Sequence, residues 1–152
     1  NDKGQLILKK KGNWEYEYEY DGLLKTKEIT KFYGKVDNTI TYKYDIKGRL
    51  IHKKLDKPST GATVIDTVMY DDENMTRTEA RVKIEDDGTE RATVRIFNEY
   101  GLQFYGEEYL NNEKIKSSQT RYQYDSKGNW IRQEVYENDE LIRVQAREIS
   151  YW

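Results

Sequence analysis

Four stretches of the chain align on one another: YKYDIKGRL at 42–50, VMYDDENMT at 68–76, RIFNEYGLQ at 95–103 and YQYDSKGNW at 122–130. Their third column holds Tyr44, Tyr70, Phe97 and Tyr124, and the next step of the same period reaches Tyr151. The following column holds Asp45, Asp71, Asn98 and Asp125, and three residues further come Gly48, Asn74, Gly101 and Gly128. A unit of about 27 residues cannot bury a face alone, so such units must stack into one continuous body. The Gly12-Asn13-Trp14 triplet repeats Gly128-Asn129-Trp130, which implies an earlier, divergent unit at the start of the chain.

The columns have turn chemistry. Asp or Asn at the first position of a β-turn caps it with its side chain, and Gly or Asn three residues on accepts positive φ. A type I turn followed by a left-handed residue makes a hairpin with a bulge. A second turn signal falls inside most units: Asp21-Gly22, Asp86-Asp87-Gly88, Asn111-Asn112 and Asn138-Asp139, with Pro58-Ser59-Thr60-Gly61 in one unit. Two turns per unit leave two strands per unit. The predicted strands are 5–9, 13–20, 23–33, 39–45, 49–56, 62–71, 75–84, 90–97, 102–110, 113–124, 129–137 and 140–151, with 34–38 breaking the period as a connector. The strands are rich in β-branched and aromatic residues. The expected fold is all-β: one domain, 1–152, an antiparallel meander of hairpins in a twisted or wrapped sheet, with closure into a sandwich or barrel left open.

Residues 13–20 read NWEYEYEY. In a strand, alternate side chains point to opposite faces, so one face is aromatic and the other acidic. Ile, Leu, Val and Phe supply only about a fifth of the chain, near the range of disordered sequences. Fourteen Tyr and a single Pro argue for order instead, because Tyr buries a ring while its hydroxyl stays wet.

The YxYDxxGN/R pattern, carried by Tyr42, Tyr44, Asp45 and Gly48 and by Tyr122, Tyr124, Asp125, Gly128, Asn129 and Trp130, resembles the YD repeat of Rhs-type bacterial proteins, in their small degenerate members. The middle units depart from it: Asn74 stands for Gly, and Arg95 and Phe97 stand for the two Tyr. The resemblance implies antiparallel strands in a curved or spiralling sheet. It also implies an exported location (periplasmic, cell-surface lipoprotein or secreted) and no catalytic residues. The shell-forming role of large Rhs proteins does not carry over, since this chain is too short to enclose another protein.

In this alignment Trp14 and Trp130 share a column, and Tyr20 matches Tyr109 and Tyr136, which makes them scaffold. Tyr16 and Tyr18 match His52 and Lys54, Thr78 and Ala80, Tyr105 and Glu107, then Arg132 and Glu134. The repeat does not demand rings there. Two readings follow: a ligand-binding pair, stacking on a sugar or anchoring a peptide, or a cap on the end of the sheet, which is the usual task of a terminal repeat.

Other chemistry has little support. The formal charge is −2, from 26 basic and 28 acidic residues, so no basic surface for nucleic acid is expected. Cys is absent and His52 is the sole histidine. Asp71-Asp72-Glu73 and Glu85-Asp86-Asp87-Gly88 lack the ligand spacing of a calcium loop, and turn chemistry accounts for them. No cofactor or metal is expected. No nucleophile elbow or singled-out carboxylate pair points to hydrolysis. No apolar run is long enough for a membrane helix, and charges on both parities of several strands exclude a membrane barrel. The start at Asn, without Met, fits a removed export signal or a fragment. The resulting expectation is a non-enzymatic, exported binding module for a protein or glycan. The alternative is a structural repeat fragment of a larger assembly.

Overall fold

The protein is described by a computed structural model covering residues 3–151, with side chains from residue 7 onward. It is all-β. Twelve strands run β1 Lys3–Lys11, β2 Trp14–Asp21, β3 Leu24–Phe32, β4 Lys35–Tyr44, β5 Leu50–Lys57, β6 Ala62–Asp71, β7 Thr76–Ile84, β8 Glu90–Phe97, β9 Gln103–Leu110, β10 Glu113–Tyr124, β11 Trp130–Glu137 and β12 Glu140–Ala146. They form one sheet in chain order, every neighbour antiparallel, and β1 and β12 are its two edges, so the sheet is open rather than closed into a barrel.

The predicted strands recur with two corrections. Residues 35–38 open β4 rather than connect units, and Tyr33-Gly34 is a tight turn. The last strand ends at Ala146 instead of continuing to 151.

The hairpin chemistry is as the columns imply. Asp45 Oδ1 accepts hydrogen bonds from the amides of Lys47 and Arg49, both 2.9 Å. Asn98 Oδ1 does the same for Tyr100 and Leu102 at 3.0 Å, and Asp125 Oδ1 for Lys127 and Asn129 at 2.8 and 2.9 Å. Gly48, Gly101 and Gly128 take φ of 75°, 72° and 80°, and the ladder shifts register beside each of these turns. The β6–β7 turn differs. There Met75, not Asn74, takes positive φ (52°), and Asp71 pairs directly with Thr76 without a register shift. Asn74 instead donates from its side chain to Asp71 Oδ2 at 2.8 Å.

Counting hairpins overturns one alignment. Successive turns of a meander alternate between the two ends of the strands. Gly12-Asn13, between β1 and β2, therefore lies at the opposite end from Gly128-Asn129, between β10 and β11. Asp21-Gly22, between β2 and β3, lies with the turns at 45–49, 71–75, 98–102 and 125–129. The first unit is thus Tyr18-Glu19-Tyr20-Asp21, in step with Tyr42-Lys43-Tyr44-Asp45 and Tyr122-Gln123-Tyr124-Asp125. Tyr20 therefore stands in step with Tyr44 and Tyr124 at the end of an even strand, not with Tyr109 and Tyr136, which end the odd strands β9 and β11. Trp14 is not the equivalent of Trp130.

The sheet is one layer thick. No hydrophobic side chain among the described residues is fully buried, and the most buried side chain is Thr30, 7 % exposed, flanked across the strands by Tyr16 and Asn38. Gly106, in the middle of β9, is covered by Gln103 and Ser118: a Cβ there would lie 2.8 Å from Gln103 Nε2 and 2.9 Å from Ser118 Oγ. Each strand packs only on its sequence neighbours.

Candidate functional site

Directly paired residues on antiparallel strands share a face. The face carrying Trp14, Tyr16, Tyr18 and Tyr20, here the aromatic face, also carries Phe32, Thr30 and Glu28 of β3 and Ile40, Tyr42 and Tyr44 of β4. On the opposite face the three glutamates of EYEYE are neutralised one by one: Glu15 by Lys10 at 2.8 Å, Glu17 by Lys31 at 2.5 Å and Glu19 by Lys27 at 3.2 Å.

Most rings of the repeat are engaged. Arg49 stacks over Tyr70 (4.0 Å to the centroid), Arg77 over Phe97 (4.6 Å), Arg147 over Trp130 (3.8 Å) and Lys127 over Tyr151 (3.4 Å). Tyr44 donates to the Lys25 carbonyl at 2.8 Å and Tyr122 to the Gln103 carbonyl at 3.1 Å. Tyr151 bonds to Asp125 and accepts from Asn129. Cations over ring faces are attractive contacts, so these aromatics are pinned between hairpins.

Tyr18 belongs with them. Lys25 lies 5.6 Å from its centroid and 4.8 Å from that of Tyr42, and bonds to Glu28 at 2.8 Å. In register it matches Tyr42 and Tyr122. Tyr16 is different: it pairs with Lys9 and Thr30, and no cation caps its ring among the described residues.

Beside Tyr16 lies a cluster that the sequence reading missed. Trp14 and Phe32 have centroids 4.6 Å apart, and Tyr33 meets Phe32 edge-on at 4.6 Å. Phe32 is 41 % exposed and Tyr33 69 %. No cation covers these three rings among the described residues. Lys9, Lys11 and Lys35 pair with Tyr16, Trp14 and Phe32 respectively and so share their face. None of the three lysines joins an ion pair among the described residues.

Tyr33 holds this position at a cost. It has φ of 49°, and two other turns at the same end of the sheet have the same geometry, with Asn111 at 49° and Asn138 at 47°. Asn111 donates its amide to the Glu90 carbonyl (2.8 Å) and accepts the Glu90 amide on its side chain (2.9 Å). Asn138 makes the same clamp on Ser117, at 2.9 and 2.8 Å. Tyr33 keeps the backbone half, donating to the Asn13 carbonyl at 3.0 Å, but has no side-chain acceptor for the other. A left-handed non-Gly residue is strained, and Asn bears that strain better than Tyr. The signal available in the sequence was KFYG, an aromatic residue, Tyr33, where the sibling turns place Asn111 and Asn138.

Other depressions are open to solvent, among them one of about 420 Å³ beside Ile51, His52, Val68 and Met69. One of about 300 Å³ on the aromatic face is lined by Asp66, Glu79, Arg81, Thr93 and Arg95, and Arg81 is held there by Asp66 at 2.6 and 3.2 Å. His52 pairs with Lys43 and Thr67 on the opposite face. Among the described residues no group of three or more His, Cys, Asp or Glu is placed to hold a metal ion, and no helix is long and apolar enough to cross a membrane. No family model matches the chain, and no curated protein matches it.

Proposed function

We propose that the chain is a non-enzymatic binding module of YD-like hairpin repeats, and that its ligand surface is the aromatic platform of Trp14, Phe32 and Tyr33 with Tyr16. The observation that carries this is Tyr33. A bulky ring sits at a left-handed turn position where the sibling turns use a hydrogen-bonding Asn, and it projects into solvent. Strain retained at one turn is explained by what the ring does there. Flat, uncapped rings rimmed by Lys9, Lys11 and Lys35 suit a glycan bearing carboxylates: the rings stack on sugar C–H faces and the ammonium groups meet the acid. The exported location rests on the YD-like resemblance.

The test is an array of neutral and uronic- or sialic-acid-bearing oligosaccharides, read with the unaltered protein, Tyr33→Asn and Tyr16→Ala. Retention on acidic glycans that is lost in Tyr33→Asn, a substitution expected to strengthen the fold, supports the platform. Equal retention by Tyr33→Asn refutes it. A second reading, a structural segment of a larger repeat array, is favoured by Tyr151, which continues the aromatic column and bonds to Asp125.

A further inference from the structure

The centre of the opposite face is uncharged over three adjacent strands. β7 alternates strictly: Thr78, Ala80, Val82 and Ile84 on this face, and Arg77, Glu79, Arg81 and Lys83 on the other. The pairings join Thr63, Ile65, Thr67 and Met69 of β6 on one side and Ala92, Val94 and Ile96 of β8 on the other, with Glu90 at the margin, and continue to Tyr105, Glu107 and Tyr109 of β9. Such alternation marks a sheet whose apolar face packs on something. Within the described chain nothing covers it, and Met69 is 63 % exposed.

We infer that this face packs against the same face of a second copy, giving a two-fold β-sandwich centred on β7. Three observations select that occupant. The first is area. The chain exposes 10948 Å², whereas a compact chain of 18.2 kDa exposes about 8,100 Å². Four strands spaced about 4.8 Å apart and roughly 30 Å long offer about 550 Å² per copy, so a pair buries about 1,100 Å², near the lower bound of a specific interface.

The second is charge. The one charge among its central positions, Glu107, is held within its own sheet by Tyr105, Tyr109 and Lys114, so the patch neither selects a charged partner nor repels a copy of itself, as an isologous contact requires. The third is the flanks, where charges are neutralised within their own sheet: Glu17–Lys31 at 2.5 Å and Lys54–Asp56 at 3.0 Å on one side, Lys114–Glu107 at 3.2 Å and Arg132–Glu134 at 2.9 Å on the other. Lys43 and Arg121 are left outside ion pairs on these flanks among the described residues, one to a side and too sparse to form a basic surface for a polyanion or an anionic membrane.

Sedimentation velocity of the full chain from about 1 to about 500 µM reads the association directly. The expected result is a monomer–dimer equilibrium, weakened at least roughly a hundredfold by Val82→Glu, which places an unpaired charge at the two-fold centre. Arg95→Glu, on the aromatic face, leaves it unchanged. Thr67→Lys serves as a second probe of the same face should Val82→Glu fail to fold by far-ultraviolet circular dichroism. A protein monomeric throughout the range overturns the inference. So does a dimer insensitive to a folded variant of this face, or one broken by Arg95→Glu.

Discussion

The guanidinium of Arg49 lies over the ring of Tyr70, 4.0 Å from its centroid, while the same group bonds to Asp72 at 2.6 and 3.2 Å and to Asp45 at 2.7 Å. One side chain from the β4–β5 turn thus joins its own turn to the next hairpin pair, and Lys47 adds a bond to Asp72 at 2.7 Å. Arg49→Lys keeps the charge but loses both the guanidinium plane over the ring and the fork to Asp72. The expected outcome is a lower thermal midpoint than the unaltered chain, with Arg49→Ala lower still. Equal midpoints for all three would show that the contact is a bystander.

Acid should weaken the fold over a definite window. Hydrogen bonds from Arg49 and then Lys47 hold the Asp72 carboxyl at about 2, against an ordinary value of 3.8. The hydroxyls of Tyr105 and Tyr109, with Lys114 behind them, hold Glu107 at about 2, against 4.5. Both values are depressed in the fold, so the unfolded chain takes up protons first. The stabilisation is present above the ordinary values and is lost as pH falls toward about 2. Urea midpoints measured from neutral pH downward should fall between about pH 4.5 and about pH 2, and Glu107→Gln should make that fall shallower.

Tyr33→Asn should stabilise the protein. It replaces a strained ring by the residue that Asn111 and Asn138 already exemplify, and it offers the Asn13 amide an acceptor. The expected gain is about 1 kcal/mol, read from urea unfolding. A loss of stability would show that the Phe32–Tyr33 contact outweighs the strain.

Gly106→Ala tests how the strand centre is filled. The added methyl meets only side-chain ends, Gln103 Nε2 and Ser118 Oγ, while the backbone carbonyl of Val94 stays 3.5 Å away. Ser118 gives up a weak 3.5 Å bond to the Gly106 carbonyl. Restricting the unfolded chain offsets that displacement, so the single substitution should be nearly neutral. Adding Ser118→Ala, which removes the nearest obstacle on β10, should turn it into a gain of about 0.5 kcal/mol. A large loss in the double variant would mean that the covering side chains matter more than the space.

The twelve strands were legible because every hairpin carries its own punctuation. Asp45, Asn98 and Asp125 announce a turn, Gly48, Gly101 and Gly128 complete it, and period-2 alternation fills the interval. The end of the sheet to which a turn belongs is harder to read. It depends on the parity of all preceding turns, so the Gly12-Asn13-Trp14 match to Gly128-Asn129-Trp130 competes with Tyr18-Glu19-Tyr20-Asp21, and only the strand count puts Tyr18 in step with Tyr42 and Tyr122. Positive φ at Tyr33 and Met75 follows from hairpin geometry that residue type argues against. Alternation in β7 says that one face is apolar, but a pattern of side chains along a strand carries no information about what lies above it. For that reason the apolar face of β7 is legible in the sequence, while the single layer that leaves it uncovered is not.

Because each strand touches only the strands before and after it in sequence, the molecule has no long-range closure to lose. Its contacts add up like links rather than converging on a nucleus. Pulled by its ends, such a chain peels one hairpin at a time. At rest, amide protons at β1 and β12 exchange first and those of β6 to β8 last, a graded profile set by distance from the margin instead of a single global opening.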